Sequence, residues 1–224
     1  MKKRVLAVGA HPDDVELGCG ATLARHVAEG DTVDILFLAT GAMARLGAQP
    51  DAVGGLRGQA EAAARALGIR AVTSVVFMDG GDNRLDGLER LDIIRWVEQA
   101  VAKVQPSIVY THYGSDRNLD HRITHDAVLT ACRPLPKAPV RRVLSFEVPS
   151  STEWGPGAFW PTVYVDVTGD PMARKMQALG CYTTEMREAP HPRSVGAVEA
   201  LAHWRGATAG VHHAEAFQLV REIR

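Results

Sequence analysis

The chain has 224 residues, enough for one large domain with a substantial buried core. Apolar residues make up 46% and charged residues 23%, and the formal net charge is -1 with no lysine- or arginine-rich run, which argues against nucleic acid as a partner. Three scattered cysteines, Cys19, Cys132 and Cys181, argue against a disulfide framework and suit a reducing cytosol.

The basic start Met1-Lys2-Lys3-Arg4 is followed by only about six apolar residues, short of the roughly 7–15 of a signal-peptide core. No segment approaches the roughly 20 apolar residues of a membrane span, so a cytoplasmic location without a membrane span is expected.

Val5–Val8 is a short continuous apolar run, the pattern of a strand buried on both faces, and a helix is expected from Val15 to Glu29, closed by Gly30. Thr32–Leu38 reads as a second strand, Gly41–Val53 as a loop, and Leu56–Leu67 as an alanine-rich helix stopped by Gly68. Val72–Met78 gives a third strand, and Leu88–Val104 a helix with apolar residues at Leu91, Ile94, Val97 and Val101. Ser107–Tyr110 is a fourth strand, and a further helix runs from about Asp120 to Cys132. Alternation of this kind predicts an α/β fold with a mostly parallel sheet and right-handed crossovers.

After Pro134 the pattern changes. Val140–Val148 and Thr162–Val167 read as strands on either side of a Ser-, Gly-, Pro- and Trp-rich loop, 149–161. Helices near Pro171–Leu179 and Ser194–Thr208 and a short apolar tail around Phe217–Val220 complete the chain. With neither repeat nor disordered linker, residues 1–224 read as a single domain whose C-terminal part walls the site.

The strongest chemical signal is His11-Pro12-Asp13-Asp14, at the junction of the first strand and first helix. Ligands bind at this end of a strand in open parallel sheets, and carboxylates are favoured beside a helix N-terminus. One imidazole and two carboxylates there suit a metal; the plainer alternative is that Asp13 or Asp14 caps the helix.

The second signal is Asp120-His121, within Asp116-Arg117-Asn118-Leu119-Asp120-His121, after the fourth strand. If the first and fourth strands are neighbours, His121 meets His11 and Asp14, a three-ligand set that leaves a position open as in catalytic zinc. Such an ion lowers the pKa of a bound water and polarises an amide carbonyl. Asp13, beside ligand Asp14, is then placed to act as general base.

Ala10-His11-Pro12-Asp13-Asp14-Val15-Glu16-Leu17-Gly18-Cys19-Gly20 resembles the opening block of the LmbE-like, or PIG-L, family of zinc N-deacetylases. The Asp120-His121 block, the segment Arg57-Gly58-Gln59-Ala60-Glu61 and Ala214-Glu215-Ala216-Phe217 look like that family too. The resemblance implies a Rossmann-like α/β sandwich with His11, Asp14 and His121 on zinc and Asp13 as base. It also implies removal of an N-acetyl group from an amino sugar or sugar conjugate, with metal-held water as nucleophile.

In one place the sequence departs from the pattern. Many members carry a histidine, the proposed general acid, where this chain has Asn118, which cannot titrate. His112, His191, His212 and His213 are other candidates, or Asp13 shuttles the proton itself.

Asp120 is expected to orient a histidine or the substrate, and His112, Asp82 and Arg57 to line the site. Each has a plainer reading: a turn for Asp82, and for Arg57 an ion pair with Asp51 or Glu61. His125 shares a helical face with His121 and reads as a polar pocket residue. Trp154 and Trp160 either stack on a sugar or pin the loop. Gly9 and Gly18-Cys19-Gly20 make an incomplete dinucleotide fingerprint, with acids where a pyrophosphate would sit.

The same ligands accept Fe2+ or Mn2+ as well as Zn2+. Two rivals stay open: a hydrolase of another amide bond, and a non-catalytic metal- or sugar-binding protein on this fold. Exact substrate and self-association into a homo-oligomer are not legible.

Overall fold

The structure, a computed structural model, describes residues 2–41, 52–69 and 75–224. Its strands are β1 (Arg4–Gly9), β2 (Thr32–Ala39), β3 (Val75–Gly80), β4 (Ile108–His112), β5 (Arg142–Phe146), β6 (Val163–Asp166) and β7 (Ala214–Glu222). The helices are α1 (Asp14–Ala28), α2 (Ala52–Ala66), α3 (Arg90–Val104), α4 (Leu119–Ala131), α5 (Asp170–Gly180) and α6 (Val195–Ala209). Among the described residues no helix is long and apolar enough to cross a membrane. Most of the expected loop 41–53, and residues 72–74 of the expected third strand, lie outside the described residues. Ala52 and Val53, read as loop, belong to α2.

The strands form one sheet in the order β3-β2-β1-β4-β5-β7-β6, and β1 lies parallel to both β2 and β4. Because β1 and β2 follow one another while β4 joins β1 from the other side, strand order reverses between β1 and β4. The loops that leave these two strands therefore open a crevice at their carboxyl ends.

Alternate residues of β1 face opposite layers. Val5 and Ala7 pack with α1, α2 and α5 residues such as Leu23, Ala63 and Leu179. Leu6 and Val8 pack with α3 and α4 residues such as Ile93, Val97 and Val128. This two-sided burial is why the strand reads as a continuous apolar run.

The chain end differs from the expected short tail. Residues Ala214–Glu222 form β7, antiparallel to β5 on one side and to β6 on the other. Its Ala-Glu-Ala-Phe start has no clear strand pattern, and pairing with two distant strands overrides that weak local preference.

Glu215 explains part of the oddity. Its carboxylate accepts the backbone N–H groups of Ala21 at 3.1 Å and Thr22 at 2.6 Å, inside α1. Lys175 from α5 donates to the Leu17 carbonyl at 2.7 Å and to Glu215 at 2.6 Å. A buried ion pair thus ties the helix that carries Asp14 to α5 and β7.

A Cβ on Gly18 would overlap the Phe146 ring of β5. The glycine is there so that α1 can lie close on the sheet, which accounts for Gly18 without any nucleotide loop. Gly18→Ala is expected to lower stability by about 1–3 kcal/mol through overpacking, read as a drop in Tm. An unchanged Tm would show that Phe146 moves aside at no cost.

Candidate active site

The turn after β1 is built by its own residues. Asp14 Oδ2 accepts the His11 backbone N–H at 2.8 Å, closing the turn that Pro12 shapes. Asp13 sits at the helix N-cap with φ 104° and makes no side-chain capping bond. A non-glycine residue there costs about 1–3 kcal/mol, strain that is retained where a site fixes the backbone. Its side chain instead meets Arg193, whose Nη1 donates to Asp13 Oδ2 at 2.7 Å.

After β4 the chain enters α4 through Asn118, whose Oδ1 accepts the Asp120 N–H at 2.9 Å as an N-cap. Its amide nitrogen donates to Asn83 at 3.2 Å. The position that departs from the family pattern is thus used to start the helix that carries His121.

Strand order brings the two motifs together. His121 Nε2 lies 3.2 Å and His11 Nδ1 3.3 Å from Asp14 Oδ2. One ligand atom from each of these three residues falls within 4.8 Å of the others, a spacing that a single cation can bridge. His121 Nε2 and Asp14 Oδ1 are buried without a hydrogen-bond partner. Buried polar atoms rarely stay unsatisfied unless something else occupies the site.

Each histidine is oriented from behind. Asp120 Oδ2 lies 3.0 Å from His11 Nε2, and Asp120 Oδ1 accepts the Leu85 N–H at 3.1 Å. Asp82 stands 3.5 Å from the same His11 nitrogen. His121 Nδ1 lies 3.2 Å from Asp116 Oδ1, while Asp116 Oδ2 accepts from Thr152 at 2.5 Å and Ser151 at 3.0 Å. Carboxylates behind metal-binding imidazoles fix ring orientation and raise basicity.

His112 is fully buried at the end of β4, stacked on His121 with ring centroids 3.9 Å apart. Its Nε2 accepts the Ala10 N–H at 2.8 Å, which puts any ring proton on Nδ1. Burial, helped by the His121 charge, lowers its pKa to about 4, so it is a neutral support rather than a proton donor.

Buried charges of opposite sign set the electrostatics of the crevice. Burial opposes charge on His11 and His121, yet Asp120 and Asp14 raise the former to about 10, and Asp14 and Asp116 raise the latter to about 9. Burial also disfavours the Asp14 anion, but the His121 charge and the His11 hydrogen bond hold it well below the usual carboxylate range. Burial pushes the Asp13 carboxyl well above that range, with Arg193 opposing.

A metal held by His11 and His121 would need both histidines neutral, so its binding would expel protons and its apparent affinity is expected to rise with pH towards 9. From about pH 8 to 6 affinity is expected to fall by roughly ten- to a hundredfold per unit, as one or two protons compete. Chelator competition across that range measures it, and a flat profile would contradict the proton count.

His125 Nδ1 lies 2.7 Å from the His112 carbonyl, bracing β4. Arg57 stacks its guanidinium over Phe77, 5.1 Å from the ring centroid, and the alternative partner Asp51 lies outside the described residues. His191 accepts the Arg193 N–H at 3.0 Å, and His213 sits edge-on to His203. Sequence reasoning missed Arg193, Asp116, Ser151 and Thr152. Asp116 stands inside the quoted block and was within reach; Arg193 comes from a loop with no local pattern.

A doubly wound α/β sheet that gathers imidazoles and carboxylates in the crevice at its switch point has the build of an enzyme. The chain belongs to the PIG-L family: the family model, described as GlcNAc-PI de-N-acetylase, matches residues 6–132. It is 32% identical over 183 residues to the uncharacterized deacetylase YaiS of Escherichia coli K12, covering 80% of this chain and 89% of that protein. It is 34% identical over 164 residues to the 1D-myo-inositol 2-acetamido-2-deoxy-alpha-D-glucopyranoside deacetylase of Geodermatophilus obscurus, covering 59% of this chain and 55% of that one. Among solved structures, the conserved protein TT1542 from Thermus thermophilus superposes with a TM-score of 0.80 at 27% identity, covering 99% of this chain and 96% of that chain.

Proposed function

We propose that residues 1–224 form one catalytic domain, a divalent-metal-dependent N-deacetylase that hydrolyses the acetamide of an amino sugar or sugar conjugate. By family the chain is an enzyme, a deacetylase. The observation that carries the finer reading is the convergence of His11 and Asp14 with His121, from motifs more than a hundred residues apart in sequence. Two imidazole nitrogens and a carboxylate oxygen suit zinc, and admit Fe2+ or Mn2+.

An ion held by these three would polarise the acetamide carbonyl and lower the pKa of a bound water. Asp13, buried and pushed upward in pKa, accepts the proton of the attacking water as general base. Arg193 engages Asp13 Oδ2 and is itself held by Ser150 at 2.8 Å, so the proton work falls to Oδ1. Asn118 caps α4 and His112 accepts the Ala10 N–H, and to Asp13 we assign the return of the proton to the departing amine. Asp120 and Asp116 keep His11 and His121 oriented.

The test is amine release from a panel of acetamido sugars and glycoconjugates, by protein stripped with a chelator and protein reloaded with zinc. Release by the reloaded form alone is expected. Undiminished release after stripping would remove the metal from the mechanism. Silence of the loaded protein on every compound would favour a non-catalytic binding protein.

A further inference from the structure

The loop 149–161, between β5 and β6, is fixed to the body by parts other than its tryptophans. Tyr113 donates its hydroxyl to the Ala158 carbonyl at 2.8 Å and meets Phe159 edge-on, with centroids 5.2 Å apart. Arg205 covers the Phe159 ring at 5.6 Å. A Cβ on Gly155 would overlap the Ser115 carbonyl, so the two backbones touch. Trp154 and Trp160 are left 64% and 74% exposed. The loop is therefore held by residues other than these two indoles.

Of the two, Trp154 is tied to the reaction centre. Its backbone N–H donates to the Ser151 carbonyl at 3.3 Å, and the Ser151 hydroxyl lies 3.3 Å from His121 Nδ1. Its neighbour Glu153 accepts the Ser150 N–H at 2.8 Å, and Ser150 in turn accepts from Arg193, the partner of Asp13. The turn that carries this indole thus starts from Ser150 and Ser151, which touch Arg193, the partner of the proposed base, and the proposed metal ligand His121. A large flat side chain on a backbone so held offers apolar area at little cost in conformational entropy. Sugar rings present C–H faces that suit it.

We propose that Trp154 is the platform for the group attached to the acetamido sugar, stacking on a second sugar ring and so selecting glycoconjugates over the free monosaccharide. This rests on the deacetylase reading above, and the test separates the two. Binding would be measured by calorimetry on zinc-loaded protein carrying Asp13→Asn, so that turnover does not interfere. The probes are N-acetylglucosamine and a β-linked disaccharide of N-acetylglucosamine.

Trp154→Ala in that background is expected to weaken the disaccharide by roughly tenfold and leave the monosaccharide unchanged. Trp154→Phe should recover most of the loss, and Trp204→Ala, on the exposed face of α6, should change neither. An unchanged disaccharide affinity in Trp154→Ala, or an equal loss for both sugars, would overturn the stacking role and leave the deacetylase reading intact. Failure of the Trp154-containing protein to bind either sugar would overturn the sugar reading and the platform with it.

Discussion

Asp14→Ala and His121→Ala should each reduce bound zinc from about one ion per chain to below about 0.1, measured by elemental analysis after dialysis. The two residues come from opposite sides of the strand-order reversal, and Asp14 Oδ2 faces both imidazoles, at 3.2 and 3.3 Å. Removing either leaves two protein ligands, too few to hold the ion against dilution. His125→Ala is the matching control, since it shares α4 with His121 but braces β4 through the His112 carbonyl. Zinc retained in both site variants would mean that the two motifs do not build one site.

Asp13→Asn should keep its zinc and lose roughly a hundred- to ten-thousandfold in turnover, the range that a positioned general base supplies. The change preserves volume and keeps an oxygen for Arg193, so metal content and Tm serve as internal checks on the fold. Proton transfer is what it removes. Wild-type turnover would assign the base elsewhere, and loss of zinc together with turnover would make Asp13 part of the metal's support.

Much of this is legible in the sequence because the signals are local. Val5–Val8 reads as a buried strand from its apolar run and Thr32–Leu38 as a second strand, and the structure has β1 and β2 there. The His11 and His121 blocks stand out because each packs several metal-capable residues into one strand-to-helix turn, and the β1–β4 adjacency that unites them is a regularity of doubly wound sheets.

What is not legible depends on non-local pairing. β7 exists because β5 and β6 flank it, and Arg193 reaches Asp13 from 180 positions away. The role of Ser151 and Thr152 requires knowing that the loop after β5 folds back on Asp116. Set beside the family pattern, Asn118 reads as a lost acid, whereas its local geometry is that of a helix cap.

The Lys175–Glu215 pair carries a consequence for how the sequence can drift. Losing the lysine leaves a carboxylate that is 4% exposed without its counter-charge, and losing the glutamate leaves a buried cation without its own. Either single loss is expected to cost about 3–5 kcal/mol, a large share of the roughly 5–15 kcal/mol that keeps a domain folded. A lineage can leave this arrangement only by changing both residues nearly at once, or by first gathering stability elsewhere. The two positions, 40 residues apart, should therefore be inherited as one character.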